Sequence, residues 1–146
     1  MRDRLEEFYE QELFFIRRMA ADFARDHPSD AQGRMKLGKV RLGQGRTAEA
    51  SKEFAEAAKI EPNSDEAHYF LGLVARMDGR FAAAEQEFKR TIQINPAHAK
   101  AYGNLGLVFL EQGQAGQARA CLNRALELNP NDEIARESLK SIEGKP

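Results

Sequence analysis

The sequence predicts an all-α chain built mostly from stacked helix pairs, and three observations carry that prediction. A pattern of 34 residues is written three times between Ala31 and Asp132. Apolar residues recur at helical spacing within each copy, and a proline closes each one. Leu37-Gly38, Leu71-Gly72 and Leu105-Gly106 stand one period apart, as do Gly45, Gly79 and Gly113. Further columns hold Ala50, Ala84 and Ala118, then Phe54, Phe88 and Leu122, then Ala57, Thr91 and Ala125, then Pro62, Pro96 and Pro130. A period of this length marks a helical repeat array, in which each unit completes its interior only against its neighbours.

Residues Arg2 to Asp26 read as one long amphipathic helix, a rod of roughly 36 Å. Leu5, Phe8, Tyr9, Ile16, Met19, Ala20 and Phe23 gather on one face, with Leu13 and Phe15 at its edges. Phe14 projects from the polar side, and Glu12 falls within the apolar face. His27-Pro28-Ser29-Asp30 stops the helix. Two roles are open. The helix can cap the exposed end of the array. It can also be a partner-binding helix, for which Phe14 speaks, since a cap needs only one apolar side.

Repeat one spans 31–64, repeat two 65–98 and repeat three 99–132. In each, a first helix ends at a glycine turn and a second ends before the proline. Gly33, Gly38 and Gly43 weaken the first helix of repeat one. Thr47 is read as the N-cap of its second helix. The small Gly38, Gly72 and Gly106, with the Ala50 column, let the paired helices approach closely. Glu133 to Glu143 forms a C-terminal capping helix, in which Ile134, Leu139 and Ile142 cover the last repeat. Gly144-Lys145-Pro146 is a fraying tail. Residues 133–146 are thus capping helix and tail, and residues 1–28 a separate leader.

The Leu-Gly, Ala, Phe and Pro columns resemble the tetratricopeptide repeat (TPR) family, and repeat three is the nearest match. The family's Trp position holds Arg34, His68 and Tyr102, and its Tyr position holds Arg41, Ala75 and Phe109. The resemblance implies a three-repeat α-solenoid whose first helices line a concave groove for an extended peptide or a helix. It carries groove positions onto Gln32, Met35, Lys39 and Leu42, then Glu66, Tyr69, Phe70, Leu73 and Arg76, then Lys100, Gly103, Asn104, Leu107 and Leu110. Some family members clamp a chaperone's terminal carboxylate with Lys, Asn and Arg. Only Lys39 or Lys100 with Asn104 matches that set, and Phe70 stands where a polar group is needed.

The leader carries a second resemblance. Phe8-Tyr9-Glu10-Gln11-Glu12-Leu13, Phe15-Ile16-Arg17-Arg18-Met19 and Asp22-Phe23-Ala24-Arg25-Asp26-His27-Pro28 are similar to the extreme N-terminus of the TssF family, part of the type VI secretion baseplate. This implies a link to baseplate assembly and makes Phe8, Tyr9, Phe14, Phe15, Met19 and Phe23 the candidate partner-binding side chains. The helix is also expected to dock in the groove of its own chain or of a second copy, so self-association through it is open.

Composition narrows the function. With 42% hydrophobic and 31% charged residues, the chain reads as folded. A net charge of −1 argues against nucleic acid as partner. The single cysteine, Cys121, allows no internal disulfide. No apolar run is long enough to span a membrane, and the mixed charge at the start is unlike a secretory signal, so a cytoplasmic location is expected. His27, His68 and His98 lack metal-ligand spacing, so no metal and no cofactor is expected. Gly43-Gln44-Gly45-Arg46-Thr47-Ala48 follows a helix, whereas a dinucleotide-binding glycine motif needs a strand. The expectation is a non-enzymatic adaptor, or else a structural module that self-associates through its first helix.

Overall fold

The computed structural model describes residues 4–26 and 30–144, without the side chains of 23–26. The expected stop at His27-Pro28-Ser29 and the C-terminal Lys145-Pro146 lie outside the described residues. The chain divides into two units, Met1–Pro62 and Asn63–Pro146. The first contains α1 (Arg4–Asp26), α2 (Ala31–Gly43) and α3 (Thr47–Ile60). The second contains α4 (Asp65–Met77), α5 (Phe81–Ile94), α6 (Ala99–Glu111), α7 (Ala115–Leu128) and α8 (Glu133–Glu143). No strand occurs among the described residues.

The pairs α2–α3, α4–α5 and α6–α7 share one construction. A small residue on the first helix faces a large one on the second. A methyl group on Gly72 would sit 2.8 Å from the ring of Phe88, and one on Gly106 would sit 2.7 Å from Leu122. Phe54 stands against Gly38 in the same way. Phe54, Phe88 and Leu122 are fully buried, as are Ala50, Ala84 and Ala118. Thr91, in the column of Ala57 and Ala125, is buried too; its hydroxyl donates to the Glu87 carbonyl at 2.9 Å, so no polar atom is orphaned.

Each turn within a pair depends on a left-handed residue. Gly45, Gly79 and Gly113 have φ of 75°, 73° and 75°. Beyond Gly79, the Arg80 amide reaches back to the Ala75 carbonyl at 2.8 Å, and Arg46 and Gln114 bond Arg41 and Phe109 likewise. A side chain in this conformation costs about 1–2 kcal/mol. Gly79→Ala should therefore lower stability by about that amount, read as a lower urea midpoint with unchanged helical content.

The first helices start on a column that the sequence reading did not use. Asp30, Ser64, His98 and Asp132 stand one period apart, and each caps the helix that follows. Asp30 accepts from the Gln32 amide at 2.8 Å, Ser64 from Ala67 at 3.2 Å, His98 Nδ1 from Ala101 at 3.1 Å and Asp132 from Ala135 at 3.0 Å. By this register α8 takes the place of the first helix of another repeat. Ala135 follows Ala67 and Ala101, and Leu139 follows Leu105. Ala135 and Leu139 are buried with Leu122 and Ala125, and Ile142 packs beside them. Ile134, expected in that contact, is 65% exposed. Thr47 is not a cap either: α3 begins at Thr47, and Arg46 precedes it without a side-chain cap.

The family's Trp column is filled by three chemistries. Arg34 pairs with Glu53 at 3.0 Å, and His68 Nδ1 meets Glu87 at 2.7 Å. Tyr102 packs beside Leu122, with the Arg124 guanidinium 5.9 Å from its ring centre. Each ties the first helix of a pair to the second.

Helix α1 departs from the capping expectation. Its edge at Arg17, Ala20 and Ala21 is half-buried and faces α2. The apolar face is not the face turned inward. Leu5, Phe8, Ile16 and Met19 are 60%, 56%, 51% and 56% exposed, and Glu12 is exposed among them. Ala20 lies across from Gly33, and Leu13 from Gly43, so α1 and α2 run antiparallel. With 23 residues against 13, the N-terminal part of α1 overhangs the end of α2.

Candidate functional site

In the C-terminal unit, α4, α6 and the start of α8 enclose a groove of about 540 Å³. Tyr69 and Arg76 come from α4, Lys100, Gly103, Asn104 and Leu107 from α6. The far wall is the α7–α8 turn, with Asn129, Asn131 and Asp132, and then Glu133 and Ile134. The first-helix residues share one side because they recur at spacings of three, four and seven.

Gly103 opens the floor. A Cβ there would lie 3.4 Å from the Asp132 carboxylate and 3.9 Å from Ala125. Anything larger would extend across the groove between α6 and α8. Beside it, Asn104 Nδ2 donates to the Tyr69 hydroxyl at 3.3 Å and to the Lys100 carbonyl at 3.0 Å. Burial pushes the Tyr69 phenol above its ordinary value, against the opposing effects of the Asn104 hydrogen bond and the Arg76 charge. The phenol therefore stays protonated near neutrality and keeps its own hydrogen to donate. Its ring is wedged by Phe70, Phe88 and His98, at centroid distances of 5.3, 5.9 and 4.8 Å. Arg76 is braced by Glu111 at 2.8 Å.

The groove thus carries charges of both signs and an apolar part. Arg76 comes from the end of α4 and Lys100 from the start of α6, Asp132 and Glu133 from the start of α8, and Tyr69, Leu107 and Ile134 add apolar surface. Such a surface can hold a peptide by side-chain and main-chain hydrogen bonds and by an apolar anchor. No nucleophile and base are paired in it. Among the described residues, no group of three or more His, Cys, Asp or Glu could hold a metal ion. Cys121 is half-buried, and burial raises its thiol pKa.

Of the groove residues expected from sequence, Tyr69, Arg76, Lys100, Gly103, Asn104 and Leu107 line this surface. Phe70 supports Tyr69 instead. Leu73 and Leu110 pack on the core around Phe88 and Val108. Met35 is 3% exposed and offers no surface to a ligand, which corrects its assignment. Leu42 is half-buried in the N-terminal unit, and Lys39 there borders a cavity between α1 and α2. Phe8, Tyr9, Phe14, Phe15 and Met19 are all exposed on α1. The side chain of Phe23 lies outside the described residues. Asn131, Asp132 and Glu133 were missed as groove residues. The one-period step from the His98 cap to Asp132 was the available signal.

Comparison with known proteins bears on both parts of the chain. Two family models described as tetratricopeptide repeat match residues 35–99 and 75–141. Together they run from Met35 in α2 through most of α8. Residues 35–141 belong to the tetratricopeptide repeat family. A model described as type VI secretion system, TssF, matches residues 1–42, running past the leader through most of α2. The crystal structure of MamA superimposes with a TM-score of 0.83 at 23% identity, over 94% of this chain and 80% of that one. YrrB, a TPR protein with an unusual peptide-binding site, gives 0.77 at 20% identity, over 93% and 68%. The first TPR of Spaghetti (RPAP3), bound to the HSP90 peptide SRMEEVD, gives 0.76 at 23% identity, over 77% and 90%. At these identities the likeness is one of fold. No curated protein matches the sequence. No helix among the described residues is long and apolar enough to cross a membrane.

Proposed function

We propose that the chain is a non-enzymatic adaptor that holds a segment of a partner protein in the groove between α4, α6 and α8. The observation that carries this reading is the open floor at Gly103, lined beside it by apolar Leu107 and by the donors Tyr69 and Lys100. A side chain of the ligand would seat on Tyr69 and Leu107. An acidic group beside it would meet Lys100 and the Tyr69 hydroxyl, which Asn104 orients, and a basic group would suit Asp132 and Glu133. Two proteins of the same fold are described with a bound peptide or a peptide-binding site, which supports a peptide as the ligand class. The net charge of −1 favours protein over nucleic acid.

The similarity of residues 1–42 to TssF supports a finer reading, in which the leader connects this adaptor to type VI secretion baseplate assembly. Both parts can be tested in one affinity capture, from cells that carry a type VI system. Leu107→Glu with Lys100→Glu alters the groove wall at one half-buried and one exposed position. It should lose the groove partner while a chain lacking residues 1–28 keeps it. The shortened chain should instead lose type VI components. An identical captured set from the groove variant and the unaltered chain would refute the groove reading. A set free of type VI components would refute the baseplate link.

A further inference from the structure

Helix α1 and helix α2 leave between them an apolar cavity of about 390 Å³, formed by Ile16, Met19 and Ala20 with Gly33 and Val40 and bordered by Lys36 and Lys39. The overhanging end of α1 has the complementary character. Leu5, Phe8 and Tyr9 are 60%, 56% and 67% exposed, and the same stretch carries Glu6, Glu7 and Glu10. One half of the helix is therefore an apolar, acidic rod, and the other half is one side of an apolar, lysine-bordered slot. A monomer cannot bring the two together, because they are consecutive parts of one straight helix. An antiparallel second copy can.

We propose that two copies of the chain associate through α1, each laying its overhanging half into the other's slot between α1 and α2. A two-fold axis near Glu12 sets Leu5 against Met19 of the other copy and Phe8 against Ile16. It also brings Glu6 toward Lys36, because Glu6 lies on the edge of α1 that turns toward α2. Glu10 follows one turn later, toward Lys39. Parallel pairing would instead set the glutamate-rich ends side by side. The contact is isologous, so every favourable pair occurs twice, and it closes at two copies. Glu12 interrupts the apolar face close to the axis, where the two carboxylates repel and weaken the contact. The contact uses none of the groove residues of the C-terminal unit, so it stands or falls apart from the peptide-binding reading.

Sedimentation of the full chain from about 1 μM to about 1 mM should give a monomer that doubles in mass as concentration rises. Reversing the charge on either side, by Glu6→Lys with Glu10→Lys or by Lys36→Glu with Lys39→Glu, should weaken the dimer about tenfold or more. Mixing the two variants should restore a dimer containing one of each, because both contacts in that pair are again of opposite sign. Glu12→Gln should tighten the dimer. These positions are exposed, and circular dichroism is expected to register no loss of helix. A chain that stays monomeric throughout the range would overturn the proposal. So would charge variants that associate as tightly as the unaltered chain, or a mixture that remains monomeric.

Discussion

Phe88→Ala should destabilise the C-terminal unit by about 3–5 kcal/mol. The ring is fully buried and occupies the space that a side chain at position 72 would need, with Gly72 pressed against it. The void cannot close freely, because Phe88 and Ala84 of α5 share one buried cluster with Ala101, Leu105 and Val108 of α6, which holds α5 in place. The repeat supplies its own control. Leu122 fills the equivalent place against Gly106, so a leucine is a shape this architecture already accepts. Phe88→Leu should therefore cost much less, within about 1.5 kcal/mol of the unaltered chain. Urea unfolding followed by helical signal measures both. Equal losses for the two variants would mean that the glycine-to-ring packing is not what joins α4 to α5. Phe88 also supports the Tyr69 ring, so Phe88→Ala should loosen the groove even where the unit stays folded.

Some of this was legible in the sequence and some was not, and the difference has a physical origin. The glycine, alanine and phenylalanine columns could be read because close helix packing accepts few residue types, so the types repeat. The cap column escaped notice because an N-cap asks only for an acceptor at the right place. Asp30, Ser64, His98 and Asp132 meet that demand with three different groups. Once that column is seen, α8 is no longer only a cap on the array. It becomes a wall of the site, and Asp132 serves both as a helix cap and as a lining residue. Met35 was misplaced for a related reason. A family position gives the direction of a side chain but not what covers it, and in repeat one it is covered. Helix α1 makes the same point. Spacing places the apolar side chains of α1 on one face, yet nothing in that spacing could reveal that α2 would take the Ala20–Ala21 edge and leave Leu5, Phe8, Ile16 and Met19 exposed.

Gly103 is where stability and binding should separate most widely. It lies inside α6, where glycine costs up to about 1 kcal/mol relative to alanine. The added methyl would meet only the Asp132 carboxylate at 3.4 Å and Ala125 at 3.9 Å, both ordinary contacts. Gly103→Ala should therefore raise stability by about 0.5–1 kcal/mol and leave most of the groove open. Gly103→Leu should keep at least part of that gain, since leucine is a good helix former, while its side chain crosses the floor between Asn104 and Asp132. Ligand binding should then fall by about a hundredfold or more, the loss expected when a buried anchor is shut out of its pocket. Measured on one captured partner peptide, the two substitutions discriminate between explanations. If glycine is present here for backbone reasons alone, alanine and leucine will act alike on binding. If it is present because the ligand passes over it, stability will rise with both and affinity will collapse with leucine only. A Gly103→Leu chain that binds as the unaltered one does would move the ligand out of this groove altogether.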